Sequence, residues 1–260
     1  MDDKEKICQE FRKLLDIIDE LRVKCPWDRK QTNESLRKLT IEETYELADS
    51  ITSGNDDEIR NELGDLMLHL VFYAKIGSEN KKFTMEDVLR GINEKLVYRH
   101  PHVFGNVKVS GASEVEENWE QLKIREKNGN KPVLSGVPSS LPAIVKANRI
   151  QEKVRGVGFD WEKREQVWDK VLEELNELKV EIENHDNERI ESEIGDLLFS
   201  IINASRLYGI DPENALEKTN RKFIKRFNYL EKKTISQGRS LHDMSLDEMN
   251  RIWEEAKRED

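Results

Sequence analysis

The sequence predicts an all-α protein built from two tandem helical-bundle lobes, and three observations carry that expectation. Apolar residues recur at helical spacing along most of the 260 residues, with little of the alternation that strands require. A charged pattern occurs twice, 131 residues apart. It is Glu42-Glu43-Thr44-Tyr45-Glu46 followed by Glu62-Leu63-Gly64-Asp65, and then Glu173-Glu174-Leu175-Asn176-Glu177 followed by Glu193-Ile194-Gly195-Asp196. Between the copies, residues 127–142 hold three of the six prolines and read as a linker. The expected lobes are 1–126 and 143–260, each long enough to bury its own core.

In the first lobe, Ile7, Phe11, Leu14, Leu15, Ile18 and Leu21 mark an amphipathic helix over about 5–22. Cys25-Pro26-Trp27-Asp28 breaks it, because proline cannot continue the hydrogen-bond ladder. Trp27 is expected as a packed anchor. A second helix, about 34–50, carries Leu36, Leu39 and Leu47 beside its glutamates, and Ser53-Gly54-Asn55-Asp56 turns the chain. A third, about 57–76, is expected to hold Ile59, Leu63, Leu66, Met67, Leu70 and Val71 on one apolar side. Gly64 costs that helix about 1 kcal/mol relative to alanine, and a neighbouring helix packing closely there is its expected reason. Gly195 holds the matching place. His69, one turn after Asp65, reads as a core or interface histidine rather than a ligand; its counterpart is Ser200. Thr84 with Asp87 has capping-box spacing and opens a helix over 84–98. His100-Pro101-His102-Val103-Phe104-Gly105 and the weak Val107/Val109 alternation predict a loop or short hairpin. Ser113 with Glu116 opens a short last helix through Trp119 and Lys123.

The second lobe repeats this order. A helix from Ala143 to Val154 leads to Gly156–Trp161, where Trp161 corresponds to Trp27. Helices follow over about 165–183, 188–207 and 213–230. Leu172, Leu175 and Leu178 are expected buried on the first of these, and Ile194, Leu197, Leu198, Ile201 and Ile202 on the second. Asp211-Pro212 supplies an N-cap and a first-turn proline. Ser245 with Glu248 caps the last helix, which contains Trp253 and Lys257.

The charge balance excludes some function classes. A net charge of −10 argues against stable nucleic-acid binding by the surface as a whole. Cys8 and Cys25 make neither a metal pair nor a disulfide pattern. The acidic start is unlike a signal peptide, and no run of apolar residues is long enough to span a membrane, so a cytoplasmic protein is expected.

On a helix, residues three apart share a face, so Glu174 with Glu177, and Glu193 with Asp196, each form an acidic pair. Two such helices packed antiparallel would gather four carboxylates, which repel unless a cation joins them. Oxygen-only ligands suit Mg²⁺, with Mn²⁺ as a substitute. The competing reading is a pair of acidic solvated helix faces, and a matched second copy counts against it. Eleven residues beyond the caps at Thr84 and Asp211 stand Lys95 and Lys222, each followed one turn later by Arg99 and Arg226. These cations beside a metal suit a polyphosphate. Trp253 with Lys257, and Trp119 with Lys123, suit either a base and a phosphate or a core tryptophan with a lysine reaching to solvent. No glycine-rich phosphate loop and no activated serine or cysteine stands out, so direct attack by water is favoured over a covalent intermediate.

The doubled EExxE…ExxD, the Cys25-Pro26-Trp27-Asp28 opening, and the doubled Lys-xxx-Arg and Trp-xxx-Lys pairs resemble the MazG family of nucleoside triphosphate pyrophosphohydrolases over nearly the whole chain. That family is one of the all-α nucleotide pyrophosphatases, with helical dUTPases and phosphoribosyl-ATP pyrophosphohydrolase. The resemblance implies Mg²⁺-dependent hydrolysis of ribo- and deoxynucleoside triphosphates, broadly tolerant of base, to monophosphate and pyrophosphate. It also implies a cytosolic homodimer. Carried over by position, Glu174, Glu177, Glu193 and Asp196 are the implied metal and catalytic residues, Lys222 and Arg226 the phosphate binders, and Trp253 and Lys257 further nucleotide contacts. Glu173 begins the same motif. A second site is implied at Glu43, Glu46, Glu62, Asp65, Lys95, Arg99, Trp119 and Lys123. The second lobe is the expected main enzyme. The alternatives are a pyrophosphohydrolase for one nucleotide such as dUTP, and a non-catalytic acidic helical adaptor.

Overall fold

The computed structural model describes residues 3–111, 132–236 and 238–259, together with Glu114, Val115, Asn118, Trp119 and Leu122. Contacts divide the chain into two compact units, Met1–Lys108 and Val109–Asp260. All regular structure among the described residues is helical.

The first unit begins with α1 (Asp3–Lys24) and a short turn at Asp28–Lys30. Helix α2 (Asn33–Ser53) starts one residue after Thr32, whose hydroxyl accepts from the Ser35 amide while the Ser35 hydroxyl accepts from that of Thr32. The expected break at Pro26 is present. It does not bury Trp27, which is 60% exposed; Asp28 turns inward instead. The reason lies in Arg22, which donates to the carbonyls of Asp28 and Gln31 and clamps Glu79 with two further N–H groups. That clamp fixes the loop by its backbone and leaves the indole outside.

Gly54, left-handed at φ 71°, ends α2, and α3 (Asp56–Glu79) starts at the Asn55 cap. Helix α4 (Met85–Arg99) carries the expected Thr84–Asp87 capping box. The His-Pro-His stretch departs from the loop or hairpin reading. Pro101 sits in the first turn of a four-residue helix α5 (Pro101–Phe104), and residues 107–109 are not strand. A proline at that position loses no hydrogen bond the helix needs and is already set at the helical φ.

The core of this unit is Ile18 from α1, Leu36 from α2, and Val71, Phe72 and Ile76 from α3. Here the expected stripe on α3 is corrected. Leu63, Met67 and Leu70 are 53%, 42% and 56% exposed. Helices α2 and α3 form an apolar hairpin with two sides, and α1 covers only one of them.

The second unit repeats the scheme with α6 (Ala143–Arg155), α7 (Val167–Asn184), α8 (Asn187–Leu207), α9 (Pro212–Ser236) and α10 (Leu246–Ala256). Both expected caps are made: the Asp211 carboxylate accepts from the Asn214 amide, and Ser245 with Glu248 forms a full capping box. Helix α6 lies on α8, where the Gln151 amide donates to the Phe199 carbonyl at 2.8 Å. The same correction applies as in the first unit. Ile202 is buried, while Leu172, Ile194, Leu198 and Ile201 are largely exposed. Leu230, Met244 and Ile252 form a separate cluster between α9 and α10, with Trp253 packed against it.

The expected linker is described only from Pro132 onward, where Val133–Gly136 makes a short turn. The capping box at Ser113 and the side chain of Lys123 lie outside the described residues.

Candidate metal centre

The acidic residues meet because each helical hairpin is counted symmetrically from its turn. Glu43 and Asp65 are each eleven residues from Gly54, and Glu46 and Glu62 are each eight. In the second unit, Glu174 with Asp196 and Glu177 with Glu193 are spaced identically about His185. His185 holds the left-handed position, φ 58°, that Gly54 holds in the first unit. Antiparallel helices of equal rise therefore bring these residues level with one another.

Two carboxylate sets result. Glu174, Glu177 and Glu193 each offer one oxygen within 4.8 Å of the other two, and Glu43, Glu62 and Asp65 do the same in the first unit. The sets differ in membership: Asp196 and Glu46 fall outside them, although both act on their neighbours through charge. Burial, then the charges of Glu177, Asp196, Glu174 and Glu181, pushes the Glu193 carboxyl above its ordinary pKa. Glu62 is pushed up by burial and then by Glu46, Asp65, Glu43 and Glu58. Glu43 is raised by burial and by Asp65, Glu46 and Glu42, against a hydrogen bond with Glu62.

These residues fit a divalent cation. The Glu193 Oε2 atom is buried and has no hydrogen-bond partner. Buried polar atoms are rarely left so, and an oxygen-only set of clustered acids suits a hard ion. Both sets are therefore able to hold a divalent metal.

His69 is buried in α3 and lies outside the acid set, in keeping with a core position. Burial holds its pKa below the usual histidine range, against the nearby charge of Asp65. Lys222 and Arg226 lie one turn apart on α9, which packs against α6, α8 and α10; Lys222 is exposed and Arg226 half-buried. Lys95 and Arg99 occupy α4 similarly. Trp253 is half-buried against Phe223, ring centroids 4.9 Å apart, and Lys257, at the C-terminal cap of α10, pairs with Glu254. The core reading of that Trp/Lys pair therefore describes its observed contacts. Trp119 is half-buried.

One residue escaped the sequence reading. Lys170 on α7 donates to Glu174 at 2.6 Å and to Glu173 at 2.9 Å. Those two hydrogen bonds, Glu174 first, push the pKa of its ammonium well above the ordinary lysine value. Its three- and four-residue spacing from the glutamates was the available signal.

Gly64 and Gly195 correct another expectation. A Cβ at either would meet nothing within 4 Å, so neither marks a close contact with another helix of its unit. Each sits on the open side of its hairpin, between two acids. Gly195→Ala is therefore expected to raise stability by about 0.5–1 kcal/mol, since alanine suits a helix interior better. Chemical denaturation measures this. A loss of turnover in the same stabilised variant would show that ligand or partner uses the open space.

A family model described as the MazG nucleotide pyrophosphohydrolase domain matches residues 31–104 and 162–230, which include both acid sets. The chain belongs to the MazG family. Among its MazG relatives, the nucleoside triphosphate pyrophosphohydrolase/pyrophosphatase MazG of Thermotoga maritima is 46% identical over 250 residues, covering 95% of each chain. The nucleoside triphosphate pyrophosphohydrolase of Escherichia coli K12 is 39% identical over 255 residues, covering 95% of this chain and 97% of the relative. YabN of Bacillus subtilis, an uncharacterized protein, is 44% identical over 252 residues but is covered over only 52% of its length. MazG membership makes this chain a hydrolase of nucleotide phosphoanhydrides. Among the described residues, no helix is long and apolar enough to cross a membrane.

Proposed function

We propose that this chain hydrolyses ribo- and deoxynucleoside triphosphates, with broad base tolerance, to nucleoside monophosphate and pyrophosphate in the presence of Mg²⁺. The observation that carries this reading is the pair of tight carboxylate sets on matched hairpins, in a chain of the MazG family. Glu174, Glu177, Glu193 and Asp196 hold the cation in the second lobe, and the oxygens of the first three converge. A bound Mg²⁺ would neutralise triphosphate charge and lower the pKa of a water. Glu177 is exposed where Glu174 is buried, so Glu177 is the better placed to orient that water and accept its proton. Lys222 and Arg226 bind the departing phosphates, and Trp253 and Lys257 supply the further nucleotide contacts that the family pattern implies. The corresponding residues of the first lobe are Glu43, Glu46, Glu62, Asp65, Lys95, Arg99, Trp119 and Lys123, with lobes at 1–126 and 143–260.

The uncovered apolar sides of both hairpins support a homodimer. Leu63, Met67 and Leu70, and likewise Leu198 and Ile201, are large side chains that a second copy would bury. Sedimentation giving twice the 30.5 kDa chain mass is expected. A monomer at micromolar concentration would refute the assembly.

The deciding experiment incubates the pure protein with each common nucleoside triphosphate and Mg²⁺ and separates the products, alongside Glu193→Ala and Glu62→Ala. Monophosphate plus pyrophosphate from many bases is the expected outcome. Diphosphate plus phosphate would overturn the cleavage position. Turnover of a single base, such as that of dUTP, would replace breadth with specificity. An absence of both turnover and metal binding would leave the adaptor reading.

A further inference from the structure

We propose that Lys170 is a built-in competitor of the metal: it occupies Glu174, so that the second acid set takes up a divalent cation less readily than the first when no nucleotide is present. This rests on the reading of both sets as metal sites.

The argument begins with an asymmetry between the lobes. The ammonium of Lys170 lies 2.6 Å from Glu174 Oε1 and also holds Glu173. The Glu174 side chain is only 8% exposed, so this buried carboxylate already has a cation as its partner. Glu174 is also one of the three residues whose oxygens converge. At the 131-residue offset, the first lobe has Leu39, an uncharged side chain packed against the core of α1, α2 and α3. Glu43 there lies beside Asp65, Glu46 and Glu42, whose charges disfavour its ionised form. The two sets therefore offer a metal the same ligand type, with an ammonium held against one and a leucine at the matching place in the other. A cation entering the first meets a leucine, not an ammonium, at that place. A cation entering the second must displace an ammonium from Glu174 and then tolerate it nearby.

Lys170 is thus a residue that sets metal affinity through Glu174, and its effect has a sign that a scaffolding role would not give. If Lys170 only held Glu174 in place, its removal would leave metal binding unchanged or weaken it. As a competitor, its removal tightens binding. A unit charge acting on a divalent ion at contact range in a partly screened site changes affinity by about tenfold.

The test uses the full chain and Mn²⁺ alone, followed by calorimetry and by the electron paramagnetic resonance of the free ion. Glu62→Gln is placed in the background to weaken the first set. Adding Lys170→Met is expected to tighten Mn²⁺ binding about tenfold, and Lys170→Arg to leave it as in the parent. In the reverse background, Glu193→Gln, the remaining first set is expected to bind Mn²⁺ more tightly than the second set does with Lys170 in place. Unchanged or weaker binding in a Lys170→Met protein that melts cooperatively would overturn the proposal while leaving the metal reading intact. Absence of Mn²⁺ binding in every variant would overturn both.

Discussion

Replacing Glu193 by glutamine is expected to lower nucleotide turnover by the second lobe about a hundredfold or more, while making the metal-free protein more resistant to heat. The loss follows because Glu193 supplies one of three converging oxygens and carries the buried, unpartnered Oε2 atom. Even residues that merely support metal ligands typically cost 10–100-fold when changed, so a ligand itself is expected to cost at least about as much. The gain in stability follows from the raised pKa. Burial and the charges of Glu177, Asp196, Glu174 and Glu181 disfavour the ionised form of Glu193 in the folded protein. A carboxyl whose pKa is higher folded than unfolded binds its proton more readily in the folded state. Its contribution to stability therefore falls as pH rises through the interval between the two values, and is unfavourable at neutral pH. Glutamine removes that repulsion. The assay belongs in a Glu62→Ala background, where the first lobe cannot mask the result. Melting should be recorded with and without Mg²⁺, because the variant should also lose the stabilisation that a bound ion confers on the native state. Full turnover in Glu193→Gln at saturating Mg²⁺ would sink the assignment.

Arg206→Met is expected to destabilise the second unit by about 1.5–2 kcal/mol and to flatten its acid sensitivity. The Arg206 side chain is 9% exposed and grips both oxygens of Asp160, at 3.0 and 2.5 Å, while two N–H groups reach the Asn203 side-chain oxygen. Methionine would keep much of the packing but leave Asp160 with the Trp161 amide and a looser contact to Arg155 at 3.7 Å. The Asp160 side chain stays 22% exposed, so water softens the loss of its partner, and the cost is that of charged hydrogen bonds rather than of a stranded buried charge. Burial alone would raise the pKa of Asp160. The hydrogen bonds from Arg206 and Trp161, with the charges of Arg206 and Arg155, outweigh it and hold the carboxyl below its usual range. A depressed carboxyl stabilises the fold above its unfolded pKa of about 3.9, and that contribution is lost as pH falls through the folded value. Urea melts between pH 3 and 7 should show the wild type losing this contribution below about pH 4. An equally steep fall in the methionine variant would refute the role of the pair. In the first unit, Arg22 and Glu79 form a clamp at different positions.

Much of this was legible from the chain alone, for local reasons. Thr84 with Asp87 and Ser245 with Glu248 cap the helices they were expected to open, because a capping box needs only residues three apart. The acidic residues meet because equal spacing about Gly54 and His185 is itself written in the sequence. The shift of Glu46 and Asp196 out of the tight sets was not visible, since spacing places a residue on a helix face without fixing where its side chain reaches. Lys170 was overlooked because an (i, i+4) Lys–Glu pair is common on solvated helices; it acquires meaning only from the burial of Glu174.

By itself, the sequence determined the helices, their caps, the doubling of the lobes and the register that brings carboxylates together, all of which depend on short-range geometry and repetition. Only the tertiary structure decided which apolar side of each hairpin is covered. Leu63, Leu70 and Leu198 have the same helical periodicity as buried residues, yet they lie open. Tertiary packing likewise decided that Trp27 stays outside while Asp28 turns in, and that Glu174 is buried against a lysine while Glu43 lies beside Asp65, Glu46 and Glu42. Burial and electrostatic setting depend on which other helices are present to pack against a face, and no window of sequence contains that information.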